Sequence, residues 1–73
     1  MYTFIFLQPF GDDVYKVRGA IETTNGWTFE NISTEDMTLN EAVEFLRGYE
    51  EGQAMSEILE SSTDAFKSGF AAA

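Results

Sequence analysis

The order of its segments constrains the fold of this chain more than any other feature. Three short runs rich in aromatic and β-branched residues come first, and such runs are typical of strands. The one long segment with helical periodicity follows at residues 38–59, TLNEAVEFLRGYEEGQAMSEIL. We therefore predict an α+β fold, a three-stranded antiparallel meander followed by two helices packed on one face. Residues 1–73 are predicted to form one domain, with the sheet in residues 2–32 and the helical part in residues 38–70.

The first two predicted strands differ in which of their faces are apolar. Residues 2–7 are apolar on both faces, which predicts a central or doubly covered strand, since an exposed edge of this composition would aggregate. Residues 14–23 alternate between apolar and polar side chains, as expected for a half-buried strand. One face of this second strand holds Tyr15, Val17 and Ile21, and the other holds Lys16, Arg18, Ala20 and Glu22.

The dipeptide Asn25-Gly26 predicts a hairpin between the second and third strands, and the loop length decides which side chains are buried. A two-residue turn at this dipeptide pairs Glu22 with Phe29 and places Trp27 and Phe29 on the charged face. A three-residue loop, residues 24–26, places the same two aromatic side chains on the apolar face instead. Because a slip of one residue exchanges the faces of a whole strand, burial favours the three-residue loop.

The helical segment carries a start signal and a change of face. Thr38, followed by Glu41 three residues later, predicts a capping box at the helix start. Gly48 and Gly52 separate two apolar stripes that would point in opposite directions on one straight helix. Since glycine is a poor helix former and a good terminator, we predict a break near residues 48–52. The stripe before the break is Leu39, Ala42, Val43, Leu46 and Tyr49, and the stripe after it is Met55, Ile58 and Leu59.

The chain lacks the residue types on which most catalytic and metal sites depend. It has no histidine and no cysteine, so the familiar pairs of nucleophile and base cannot form. Its acidic doublets do not lie in a calcium-loop pattern, and its six glycines are too scattered to cradle a phosphate. We therefore predict no catalytic residues, no metal ligands, no cofactor and a role other than that of an enzyme.

Net charge is the strongest functional signal in the sequence. Thirteen acidic residues face four basic ones, for a formal charge of −9. We do not expect binding to nucleic acid or to a membrane, because both favour clustered Lys and Arg. The expected partner is a basic protein surface, that of a nucleic-acid-binding protein, although an acidic composition can also serve solubility alone. The predicted partner contacts are glutamates of the helical part: Glu41, Glu44, Glu51, Glu57 and Glu60.

Two functions are open at the level of sequence. Length, acidity and the lack of active-site chemistry are similar to those of many phage-encoded inhibitors of host defence, including anti-CRISPR and anti-restriction proteins. This similarity of size and composition implies an inhibitor that places carboxylates where phosphates normally bind, in the cytoplasm of a host cell. The alternative is a structural or oligomerisation module, a homodimer formed through an aromatic surface. Large apolar residues outside the predicted core stripes support this alternative: Phe10, Phe45, Met55, Phe66 and Phe70.

Overall fold

The fold is that of a computed structural model, which describes residues 2–33, 35–54 and 62–73. Three strands come first and two helices follow: β1 (Phe4–Gly11), β2 (Val14–Thr23), β3 (Gly26–Asn31), α1 (Leu39–Gln53) and α2 (Asp64–Ala72). The strands form one antiparallel sheet in the order β1-β2-β3, α1 packs against β1 and β2, and α2 packs against α1. The predicted α+β fold is thereby confirmed. The predicted second apolar stripe, Met55, Ile58 and Leu59, lies outside the described residues.

β1 is an edge strand, whereas its composition predicted a central or doubly covered one. Tyr2 precedes the strand, and its ring covers Gly19 so closely that any Cβ there would overlap it. Phe4 is level with Ala20 and therefore lies on the opposite face of the sheet from Tyr2. The Tyr2 hydroxyl donates a hydrogen bond to Glu30 Oε2 at 3.0 Å. This bond, together with burial, raises the pKa of Tyr2 above its ordinary value.

The β2–β3 hairpin has a two-residue loop, but it lies one residue before the Asn25-Gly26 turn that the sequence suggested. Thr23 pairs with Gly26, so Thr24 and Asn25 form the loop. The Thr23 hydroxyl closes it by donating to the Gly26 carbonyl at 2.8 Å and accepting from the Asn25 amide at 3.3 Å. Gly26 adopts a φ of 117°, a conformation that residues with side chains rarely adopt. Both registers predicted for this hairpin are therefore wrong.

The observed register places Trp27 and Phe29 on the sheet face that points away from α1. Trp27 pairs with Glu22 and Phe29 pairs with Ala20, both on the face that alternation assigned as charged. The prediction that these aromatic side chains lie on the apolar side with Val17 is therefore wrong. The polar contacts of the loop set the register here, and burial against the helices does not.

The hydrophobic core lies between the sheet and α1. Its buried members come from β2, from the loop after β3 and from α1: Val17, Met37, Ala42 and Phe45. Backbone hydrogen bonds of 2.8 and 3.2 Å join Met37 to Tyr15 and hold the loop against β2. Phe45, which lay outside the stripe predicted from the sequence, is thus a central member of the core.

α1 begins where predicted and continues beyond the predicted break. The Thr38 hydroxyl accepts from the Glu41 amide at 3.2 Å, and the Glu41 carboxylate accepts from the Thr38 amide at 3.0 Å, which confirms the capping box. The helix runs through Gly48 and Gly52 and ends at Gln53, so the break predicted near residues 48–52 is wrong. Its buried residues are Ala42, Phe45, Gly48 and Tyr49, whereas Leu39 and Val43 of the predicted stripe are exposed.

The helical glycines allow α1 and α2 to touch and do not end a helix. A Cβ on Gly48 would overlap the Phe66 carbonyl of α2, and a Cβ on Gly69 would overlap the Phe45 carbonyl of α1. An added Cβ at Gly52 would lie 2.7 Å from another backbone oxygen of α2. Glycine in a helix interior costs about 1 kcal/mol relative to alanine, and close backbone packing offsets that cost here.

Ser33 satisfies a backbone donor where the sheet ends. Its side chain is buried, and its hydroxyl accepts a hydrogen bond from the Val17 amide at 2.9 Å. The Val17 carbonyl accepts from the amides of Ile32 and Ser33 at 2.9 and 3.2 Å. Because of these bonds, the amide and the carbonyl of Val17 are both satisfied where β3 ends.

We expect Ser33→Ala to lower the free energy of unfolding by about 1–3 kcal/mol, because the Val17 amide is then buried without a partner. Urea denaturation followed by circular dichroism measures this loss. Ser68→Ala, at an exposed position of α2, is the matched control and should change stability by about 0.5 kcal/mol or less. Equal losses in the two variants would show that the buried hydrogen bond does not matter.

Candidate interaction surfaces

The face of the sheet opposite α1 is aromatic, where an open sheet face usually is polar. Directly paired residues on neighbouring antiparallel strands project to the same side, so the register assigns the members of each face. Val17 projects toward α1, and its neighbours Lys16 and Arg18 therefore project away from it. We call this second side the aromatic face; its residues are Phe4, Phe6, Gln8, Lys16, Arg18, Ala20, Glu22, Trp27, Phe29 and Asn31.

The rings of the aromatic face form one continuous patch across all three strands. The Phe4 ring centroid lies 5.3 Å from that of Trp27 and 5.8 Å from that of Phe6, and Phe6 meets Phe29 edge-to-face at 6.0 Å. β1 and β3 are not neighbours, and their rings meet over β2, where the small side chain of Ala20 is fully buried. Phe4, Trp27 and Phe29 are nevertheless 48%, 47% and 49% exposed.

Arg18 is the charged member of a shallow pocket in this patch. The pocket has a volume of about 420 Å³ and is lined by Phe4, Phe6, Gln8, Arg18 and Phe29. Arg18 Nη1 donates to Gln8 Oε1 at 2.8 Å, and the guanidinium carbon lies 5.7 Å from the Phe29 ring centroid. Its Nε is buried and finds no hydrogen-bond partner among the described residues. Arg18 is thus fixed against the rings and keeps unused donor capacity.

The aromatic face carries little net charge although the whole chain is acidic. Its two basic residues are Lys16 and Arg18, and Glu22 is its one acidic member in the paired strands. Lys16 Nζ also lies 5.2 Å from the Phe10 ring centroid and 3.9 Å from the Asp36 carboxylate. Abundant aromatic area, an arginine and few other charges are typical of the centre of a protein interface.

Three of the predicted partner contacts, Glu41, Glu44 and Glu51, lie on α1, and two of these have local roles. Glu41 belongs to the capping box, and Glu44 accepts a hydrogen bond from Arg47 at 3.2 Å. Both line a small depression with Asp64 at the start of α2, whereas Glu51 is exposed in the last turn of α1. The other two predicted contacts, Glu57 and Glu60, lie outside the described residues.

Acidic side chains converge where α1 and α2 begin. A groove of about 330 Å³ lies there, and its acidic lining residues are Glu35, Asp36, Glu41 and Asp64. Among the described residues, no group of three or more acidic side chains is arranged to hold a metal ion. The described part of the chain contains two ion pairs, Lys16–Asp36 at 3.9 Å and Arg47–Glu44 at 3.2 Å. Most of its acidic side chains therefore have no basic partner.

Comparison with known proteins assigns no function to this chain. The sequence matches no protein-family model, and neither a curated protein nor a solved structure is significantly similar to it. Within residues 2–33, 35–54 and 62–73, no helix is long and apolar enough to cross a membrane.

Sequence reasoning missed the aromatic face because it assigned Trp27 and Phe29 to the core. One signal in the sequence pointed to the observed register. Thr23 stands three residues before Gly26, and a threonine hydroxyl in that position can close a two-residue loop. Giving that polar contact more weight than burial would have placed both rings on the open face.

Proposed function

We propose that the protein is a non-catalytic interaction module that binds a protein partner through its aromatic face. One observation carries this proposal: a continuous patch of four rings, three of them about half exposed, covers the sheet face that the helices leave open. Exposed apolar patches of this kind are costly in water and usually mark association sites. The small net charge of the face supports the same use, because few charges must be desolvated when a partner covers it.

The exposed rings supply much of the apolar area that specific binding needs. An aromatic side chain buries roughly 150–250 Å², so covering the exposed half of Phe4, Trp27 and Phe29 removes about 300 Å² from water. At about 25 cal/mol per Å², this area corresponds to a gross gain of about 7.5 kcal/mol. Association costs about 4–15 kcal/mol, so the surrounding polar side chains must also pack well for the complex to be stable.

Phe29→Thr tests this proposal, because threonine suits a strand but removes the ring. We expect the variant to lose at least about tenfold in affinity, both for protein captured from the source cells and for a second copy in sedimentation velocity. Val43→Thr removes an exposed apolar side chain from α1 and is the matched control, with no expected change. Equal binding by the two variants, or no association by the wild type in either assay, contradicts the proposal.

A second candidate function is supported by the uncompensated acidic charge. In this role the helical layer would occupy a basic, nucleic-acid-binding surface of another protein, as a cytoplasmic inhibitor of the anti-CRISPR or anti-restriction kind. Its support is the net charge of −9 together with the small number of ion pairs in the described part of the chain. Glu41, Glu44 and Glu51, with Glu57 and Glu60, are the proposed contacts.

Salt dependence tests this second candidate. Affinity for the captured partner should fall at least about tenfold between roughly 50 and 500 mM salt, because carboxylate contacts with a basic surface are screened. Glu51→Gln should weaken binding, whereas Glu22→Gln, on the opposite side of the molecule, should not. A flat salt response would exclude mimicry of a nucleic acid.

A further inference from the structure

We infer that the occupant of the aromatic face is a second copy of this chain, related by a two-fold axis that crosses β2 at Gly19. This inference rests on the proposed function and names its partner. Two features of the face support it, its charge and the spacing of its residues, and its area sets the expected strength of the dimer.

The distribution of charge makes this face the easiest place for two copies to meet. The chain carries a net charge of −9, and two copies therefore repel each other at most orientations. The paired residues of the aromatic face instead include two cations and one anion. Face-to-face contact keeps the acidic helical layers on the two outer sides, as far apart as the assembly allows.

Four residues of β2 that project to this face, at positions 16, 18, 20 and 22, are spaced symmetrically about Gly19. Val14 lies beyond them, at the irregular end of the β1–β2 pairing. A two-fold axis in the interface, running across the strands at Gly19, reverses the strand direction and brings position 16 opposite position 22 of the second copy. Lys16 then faces Glu22 of the second copy and Glu22 faces its Lys16, so the two charged pairs form together.

The same axis pairs aromatic rings of β1. Phe4 is level with Ala20 and Phe6 is level with Arg18, so these positions also lie symmetrically about the level of Gly19. Rotation brings Phe4 opposite Phe6 of the second copy, and the reverse pair forms at the same time. Two sheets that pack face to face in this way lie about 10 Å apart, which is the thickness that interleaved rings fill.

The area of the face predicts a weak dimer. With strands about 4.8 Å apart and a rise of about 3.3 Å per residue, three strands of about eight residues give a footprint of roughly 380 Å². Standard interfaces bury about 800 Å² per partner, so we expect a dissociation constant of about 10–100 μM. Because the copies repel each other at long range, raising salt from about 20 to 500 mM should strengthen the dimer about three- to tenfold.

Charge reversal at positions 16 and 22 tests the axis directly. Lys16→Glu and Glu22→Lys should each weaken the dimer about tenfold, because like charges then face each other across the axis. The double variant carries the same net charge as the wild type and should associate within about twofold of it. An equimolar mixture of the two single variants should also associate, since each supplies the charge that the other lacks.

Effects within one copy cannot produce this rescue. Lys16 and Glu22 lie six residues apart on β2, about 20 Å, so they do not contact each other in the monomer. Glu51→Lys makes the same charge change as Glu22→Lys but lies on α1, and it should leave the dimer equal or slightly stronger.

Sedimentation equilibrium from about 1 μM to 1 mM distinguishes the outcomes, with circular dichroism to show that each variant is folded. Dimerisation with rescue by the double variant and by the mixture supports the inference. A monomer at every concentration, or dimerisation without rescue, overturns it. If the wild type is monomeric and Phe29→Thr still abolishes capture of another protein, the inference fails and the proposed function stands.

Discussion

Gly69→Ala is expected to destabilise the protein by about 3 kcal/mol, although the same change in an isolated helix would stabilise it by about 1 kcal/mol. The new Cβ would overlap the Phe45 carbonyl and lie 3.0 Å from the Tyr49 amide nitrogen, both backbone atoms of α1. These backbone atoms cannot move away as the end of a flexible side chain can. The helices must therefore separate and lose contacts along their whole length. For a chain of this size, with a total stability of about 4–11 kcal/mol, such a loss is severe.

Thermal denaturation followed by circular dichroism measures this effect as a fall in Tm of more than about 10 °C. Gly48→Ala should behave alike, because its Cβ would overlap the Phe66 carbonyl on the other side of the same crossing. Ser68→Ala, next to Gly69 but exposed, is the control and should leave Tm equal or slightly raised. A Gly69→Ala protein as stable as the wild type would contradict the close crossing of α1 and α2.

Phe45→Ala is expected to cost about 3–5 kcal/mol, enough to leave much of the chain unfolded at ordinary temperature. Phe45 is 6% exposed and belongs to the core cluster with Val17 and Met37, between the sheet and α1. Its truncation loses the transfer free energy of the ring and leaves a cavity that the surrounding strands can fill only in part. The backbone of the same residue contacts Gly69, so collapse around the cavity would also disturb the helix crossing.

Urea denaturation measures this loss, and Val43→Ala on the same helix provides the comparison. Val43 belongs to the stripe that sequence periodicity assigned to the core, yet it is 38% exposed, so its truncation should cost less than about 1 kcal/mol. A larger loss from Val43→Ala than from Phe45→Ala would favour the predicted stripe over the observed packing. The pair of variants therefore tests which side of α1 faces the sheet.

The parts of the fold that depend on local chemistry were predicted from the sequence. The α+β order follows from the change in hydrophobic period along the chain, and the capping box follows from the spacing of Thr38 and Glu41. The alternation of β2 was also sufficient to separate its two faces. Each of these signals is contained within a few residues, so no knowledge of the partner element is needed to interpret it.

The parts that depend on a second element could not be predicted in this way. A glycine such as Gly48 can either end a helix or allow a neighbouring backbone to approach closely, and the sequence looks the same in both cases. Only the position of the Phe66 carbonyl on α2 shows that the second case applies here. Trp27 and Phe29 were assigned to the apolar face on the assumption that large rings are buried within one copy of the chain. That assumption fails for a sheet with one open side, and the aromatic face was missed for this reason.

The emission of Trp27, the chain's single tryptophan, tests most directly the claim that an aromatic sheet face is open for association. At about 1 μM, below the expected dissociation constant, its fluorescence should resemble that of a hydrated indole and be readily quenched by acrylamide. As the concentration rises and the protein associates, the emission should shift to shorter wavelength and quenching by acrylamide should fall. Phe29→Thr should suppress both changes. A blue-shifted and protected tryptophan in the most dilute sample would place Trp27 against the helices and contradict this account.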